Sequence, residues 1–130
     1  MNDTGSNDSG NPQKDLDWAQ FEAITCGLSP DFIEVYEEFE KELPQLFNDL
    51  QAAVASSSYC KVANLAHQIK GSAANFGFLR TSQEMNTLEY ETQNESLQRG
   101  EEHLAAAREA FQRAQCEART RMAHYRRESI

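Results

Sequence analysis

The sequence predicts an all-α protein, an antiparallel four-helix bundle with a short additional helix at its N-terminal end. Three observations lead there. Apolar residues recur at spacings of three and four over most of the chain, polar turn residues interrupt that recurrence, and no stretch of any length alternates as a strand would. Amphipathic segments joined by short polar turns bury their stripes most economically against one another. With 130 residues, 39% of them hydrophobic, one domain with one core is expected.

Residues 1–13 (MNDTGSNDSGNPQ) are dense in Asn, Asp, Gly and Ser, which predicts a disordered tail ahead of a single domain over 14–130. A short amphipathic element follows over Asp15–Thr25, with Leu16, Phe21 and Ile24 as candidate buried positions and Gly27 ending it. Ser29 followed by Pro30 reads as an N-cap and a proline at the first helical position, where its missing N–H costs nothing. The long helix that starts there carries Phe32, Val35, Tyr36, Phe39, Leu43, Leu46, Phe47, Leu50 and Val54 as one apolar stripe. Pro44 lies inside the pattern and predicts a bend, since the stripe resumes beyond it.

Ser56, Ser57 and Ser58 interrupt the pattern, after which Tyr59, Val62, Ala66, Ile69, Ala73 and Phe76 form a strict seam for packing against other helices. Gly77 closes this helix, and Thr81 with Glu84 three residues later has the form of a capping box for the next. That next helix has only Met85, Leu88 and Thr92 as an inner face, so it depends on its neighbours for stability. Gly100 marks a turn. Leu104, Ala107, Phe111, Ala114, Ala118, Met122 and Tyr125 then give a last long amphipathic helix.

The charge narrows the function. Lys and Arg number 12 against 21 Asp and Glu, a formal net charge of -9 that argues against nucleic-acid binding through a basic face. The imbalance is local: 12 acids and 2 bases lie at or before Cys60, and 9 acids and 10 bases after it. Three widely spaced cysteines, Cys26, Cys60 and Cys116, suit neither a disulfide framework nor a metal knuckle and read as reduced small apolar residues. No segment approaches the roughly 18 apolar residues of a membrane span, and the N-terminus lacks the basic-then-apolar order of a signal peptide. A cytoplasmic, monomeric protein is expected.

The chemistry concentrates at Leu65-Ala66-His67-Gln68-Ile69-Lys70-Gly71-Ser72-Ala73-Ala74. On a helix, Lys70 and Gly71 are the surface neighbours of His67, and at about 100° per residue His67 lies roughly 130° from the centre of the buried seam. An exposed imidazole is a nitrogen nucleophile near neutral pH, and a phosphoryl group held on nitrogen is labile enough to be passed on. Lys70 is a point cation one turn away that suits phosphate oxygens, and Gly71 leaves room for a partner to approach the ring. Each residue alone has an ordinary explanation as a solvated surface position. Their combination on one face is what points to phosphoryl transfer. His103 and His124 lack such a neighbourhood and read as ordinary surface residues.

The run from His67 to Ala73, followed by Gly77, closely resembles the H-x-x-K-G-S/A-x-x-x-x-G signature of histidine-containing phosphotransfer (HPt) domains. The resemblance extends from roughly Pro30 to Tyr125, including the proline-bearing helix before the histidine and the Leu88-Glu89 pair after it. It implies a four-helix bundle acting as an intermediate in multistep His-Asp phosphorelays. Its partners would be receiver domains of response regulators or a hybrid sensor histidine kinase, with Mg²⁺ supplied by the receiver and no metal or cofactor of its own. By position, His67 matches the phosphoacceptor, Lys70 the phosphate-stabilising lysine and Gly71 the residue that clears the approach. Glu89 matches the polar residue that orients the imidazole, with Gln93 one turn on as a rival. Leu16, Phe21, Ile24 and Phe32 are candidates for a docking patch, and core packing is an equal reading for each.

The chain has no room for a kinase ATP-binding domain, and no P-loop appears, so it reads as a phosphocarrier rather than an enzyme. The competing function is a helical adaptor that binds a signalling partner and never carries phosphate. A metal-binding bundle enzyme is disfavoured because no Glu-x-x-His pairs converge from two helices.

Overall fold

A computed structural model describes residues 14–129; the expected tail over 1–13 lies outside the described residues. Five helices follow one another: α1 (Trp18–Ile24), α2 (Pro30–Ala55), α3 (Tyr59–Asn75), α4 (Leu79–Gln93) and α5 (Gly100–Ser129). Successive helices α2 to α5 pack on their chain neighbours, and α5 returns to α2, which closes a four-helix ring. The connections are too short to cross the bundle, so neighbours run antiparallel. The helix α1 caps one end against α3.

The starts and stops follow local chemistry, with informative departures from expectation. The Asp17 side chain accepts from the Gln20 N–H at 3.2 Å and so caps α1. The expected helical start at Asp15 fails because residues 15–17 pair with the α3–α4 turn instead: Asp17 N donates to Gly77 O at 2.7 Å, Leu79 N to Asp15 O at 3.0 Å, and Leu16 bridges Phe78. Gly27 does not end α1 alone. Cys26, Gly27 and Leu28 all have positive φ, and Gly27 N reaches back to Glu22 O at 2.9 Å. The helix α2 runs through Pro44, with Pro30 in its first turn as expected.

At the end of α3, Phe78 N donates to Ala73 O at 2.8 Å and Gly77 N to Ala74 O at 3.1 Å, a Schellman closure with Gly77 at φ +77°. A Cβ on Gly77 would lie 2.5 Å from Asp17 O, so glycine is required there twice over. The capping box at Thr81 and Glu84 does not form. The helix α4 already starts at Leu79, Thr81 is buried with its hydroxyl toward Ala107 O, and Glu84 turns to α5.

The core contains the α3 seam from Val62 to Phe76, the thin α4 face and the α5 stripe from Leu104 to Met122. The register of early α2 differs from expectation. Ile33 and Glu40 turn inward beside the expected Tyr36, whereas Phe32 and Val35 are exposed; Tyr59 and Tyr125 are exposed as well. Glu40 is tolerated inside because Arg119 of α5 grips both its oxygens. All three cysteines are free, as expected of reduced residues, and all are exposed. Phe21, Tyr36, Phe39, Phe76, Phe78 and Phe111 form an aromatic knot at the capped end, with Phe39 at 4.8 Å from Phe76 and 5.2 Å from Phe78 between ring centroids. This knot immobilises the α3–α4 turn, and with it the register of α3 against α4 on which the site depends.

Candidate functional site

The site lies on the outer faces of α3 and α4. His67 projects from the middle of α3 with its side chain 68% exposed. Ala66 and Ile69 flank it on the buried seam, so packing fixes the backbone while leaving the ring in solvent. Its Nδ1 lies 2.9 Å from Oε2 of Glu89, on α4. Glu89 Oε1 accepts from Lys70 Nζ at 2.7 Å. One carboxylate thus spans the imidazole and the ammonium, one oxygen to each. Glu89, rather than Gln93, is the residue at the ring.

The electrostatics set the tautomer. Burial pushes the Glu89 carboxyl up, but the Lys70 ammonium and then His67 outweigh it and hold the group below the ordinary carboxylate range. An ionised carboxylate only accepts hydrogen bonds, so Nδ1 is the donor, and in the neutral ring the lone pair belongs to Nε2. Lys70 also donates to Asn86 Oδ1 at 3.4 Å, and Ser82 Oγ donates to the Lys70 carbonyl at 3.1 Å. Gly71 is exposed, and a Cβ built on it meets nothing within 4 Å, so the space beside the ring is open.

Of the four candidate docking residues, two are misplaced for that purpose. Leu16 is 2% exposed and Phe21 is fully buried, because the end of the bundle needs apolar cover and α1 supplies it. Ile24 and Phe32 are exposed. His103 is also not the surface residue expected. It is 9% exposed between α4 and α5, with Nδ1 at 2.9 Å from Glu84 Oε1 and Nε2 at 3.2 Å from Glu91 Oε2. Sequence spacing could not show this, since the two carboxylates come from another helix. Among the described residues, no group of three or more His, Cys, Asp or Glu side chains is arranged to hold a metal ion.

A helical bundle with a solvent-facing histidine on one helix, its ring oriented by a carboxylate on the next, defines the class of helical phosphotransfer modules. The comparison with protein families agrees: residues 34–117 match the model of the Hpt domain, and the chain belongs to that family. No curated protein matches the chain, and no solved structure does.

Proposed function

We propose that this chain is a phosphorelay intermediate that accepts a phosphoryl group on His67 from a receiver-domain aspartate or a sensor kinase and passes it to a response-regulator aspartate. The observation that carries the reading is the Glu89 bridge, which fixes the Nδ1 proton and leaves Nε2 free on an exposed face. In the accepting step, Nε2 attacks phosphorus as the bond to the aspartyl oxygen breaks, and the donor leaves as a carboxylate. The ring becomes a phosphoimidazolium whose Nδ1–H remains on Glu89, so the carboxylate faces the positive charge that develops. In the return step an aspartate oxygen attacks phosphorus, and the ring departs as neutral imidazole with the same Nδ1 proton. No proton crosses the interface in either direction, which suits a reversible carrier.

Mg²⁺ belongs to the receiver in this reading, and no cofactor is assigned to the chain itself. The chain is a carrier whose transfer chemistry depends on its partner, not an enzyme in its own right. Gly71 provides the partner's approach, and Ile24 with Phe32 are the apolar docking positions. No described helix is long and apolar enough to cross a membrane, in keeping with a proposed cytoplasmic location.

The test is label transfer from a phosphorylated receiver domain with Mg²⁺ present. The native chain gains acid-labile, alkali-stable label, and His67→Gln gains none while keeping its helical content. Label retained by His67→Gln overturns the assignment of His67. Receiver binding that survives the substitution, with no label on the native chain, establishes an adaptor instead.

A further inference from the structure

The face that α4 turns toward α3 carries Ser82, Asn86 and Glu89 at spacings of four and three, which places them in one row along the helix. Each makes a hydrogen bond to His67 or Lys70. Ser82 holds the Lys70 carbonyl, Asn86 accepts from its ammonium, and Glu89 accepts from both the ammonium and the ring. The other polar side chains of α4 that reach across the bundle turn to α5: Glu84 and Glu91 to His103, and Thr81 to the Ala107 carbonyl. The row from Ser82 to Glu89 is therefore devoted to the site.

The position of the ammonium is informative. It sits on Glu89 Oε1, and Glu89 Oε2 sits on Nδ1, so the carboxylate stands between the lysine and the ring. In this arrangement the cation is engaged with the same carboxylate that meets the ring. A free lysine side chain samples many rotamers, and two acceptors one turn apart on α4 select the one seen here.

We propose that Ser82 and Asn86 are positioning residues for the phosphoryl-accepting histidine. They act through Lys70, whose ammonium fixes the Glu89 carboxylate and thereby keeps the imidazole proton on Nδ1. This rests on the phosphocarrier reading above. Removing the Asn86 acceptor lets the ammonium wander, Glu89 turns more freely, and a fraction of the rings carries the proton on Nε2, where it blocks attack. Loss of this long, exposed hydrogen bond corresponds to roughly a threefold to tenfold fall in rate. Ser82→Ala acts in the same direction but less, because it touches only the backbone of Lys70.

Phosphoramidate tests this without a protein partner. Its P–N bond breaks as Nε2 bonds to phosphorus, and ammonia leaves with a proton from solvent. Initial labelling rates and the ¹⁵N shifts of the His67 ring are measured for the native chain, Asn86→Leu, Asn86→Asp, Glu89→Gln and the double variant Asn86→Leu/Glu89→Gln. Asn86 is exposed, so the fold tolerates these changes. The expected result is slower labelling and a mixed tautomer pattern in Asn86→Leu, recovery of both in Asn86→Asp, and little added effect of Asn86→Leu once Glu89 is glutamine. Unchanged rate and unchanged ¹⁵N pattern in Asn86→Leu overturn the inference, as does a full-size effect in the Glu89→Gln background. A native chain that takes no label at all instead overturns the phosphocarrier reading on which it rests.

Discussion

Glu89→Gln is the most discriminating substitution, because it alters charge while keeping shape. The carboxylate accepts two charge-assisted bonds, 2.9 Å from His67 Nδ1 and 2.7 Å from Lys70 Nζ. Glutamine offers one carbonyl oxygen and one NH₂ group. Lys70 has only protons to give, so the oxygen turns to the ammonium and the NH₂ faces Nδ1, which must then accept. The ring proton moves to Nε2, the atom proposed to attack phosphorus. Restoring the reactive tautomer requires the wrong end of the amide to face Lys70. Charge-assisted bonds exceed neutral ones by about 1 kcal/mol, and with the Glu89 side chain 20% exposed that figure suffices without increase. The expected loss is roughly fivefold in the initial rate of labelling by phosphoramidate. The same substitution has a signature in acid. A carboxyl held below its ordinary value of 4.5 contributes stability that is fully present above that value and is lost as pH falls through the lower folded value. Thermal unfolding of the native chain therefore falls more steeply below pH 4.5 than that of Glu89→Gln. A labelling rate within about twofold of native, together with an unaltered acid limb, refutes this account of Glu89.

Three further outcomes follow from the packing. His103→Leu removes the ring that contacts both Glu84 and Glu91, which are 17% and 21% exposed, and lowers stability by about 2 kcal/mol, or roughly 8 °C in Tm. An unchanged Tm contradicts the clamp between α4 and α5. The Cβ that Gly71→Gln adds meets no atom within 4 Å, so the helix gains up to about 1 kcal/mol while transfer from a receiver falls and phosphoramidate labelling persists. Equal transfer from the receiver would remove the steric role of Gly71. Gly77→Ala places a Cβ 2.5 Å from Asp17 O at a left-handed position and destabilises by at least about 2 kcal/mol, read in urea unfolding. A smaller loss would mean that the pairing of residues 15–17 with the turn yields at little cost.

The all-helical architecture, the seam of α3 and the exposure of His67 were legible in the sequence because each depends on one helix at a time. A periodicity of 3.6 residues assigns every side chain of a single helix to a face, and Val62, Ala66, Ile69 and Ala73 leave His67 outside. The same reading misassigned Phe32 and Val35, which share the apolar character of the α2 stripe, because it could not see where the stripe first meets α5. Leu16 and Phe21 posed a similar choice, and the need to cover the aromatic knot placed them inside.

What the tertiary structure alone decided is who meets whom between helices. The family resemblance pointed to Glu89 by position, with Gln93 as a rival, and only the register of α3 against α4 resolves the choice by bringing one carboxylate to both His67 and Lys70. The same register engages Asn86 and Ser82, which carry no sequence signal of their own. His103 was misread for the same reason: its partners lie on another helix, and no spacing within α5 records them. The exposure of His67 is a property of one helix and was readable from its sequence. The bridge from Glu89 to its ring and to Lys70 is a property of two helices, set by packing at the aromatic knot and the turn that Gly77 closes.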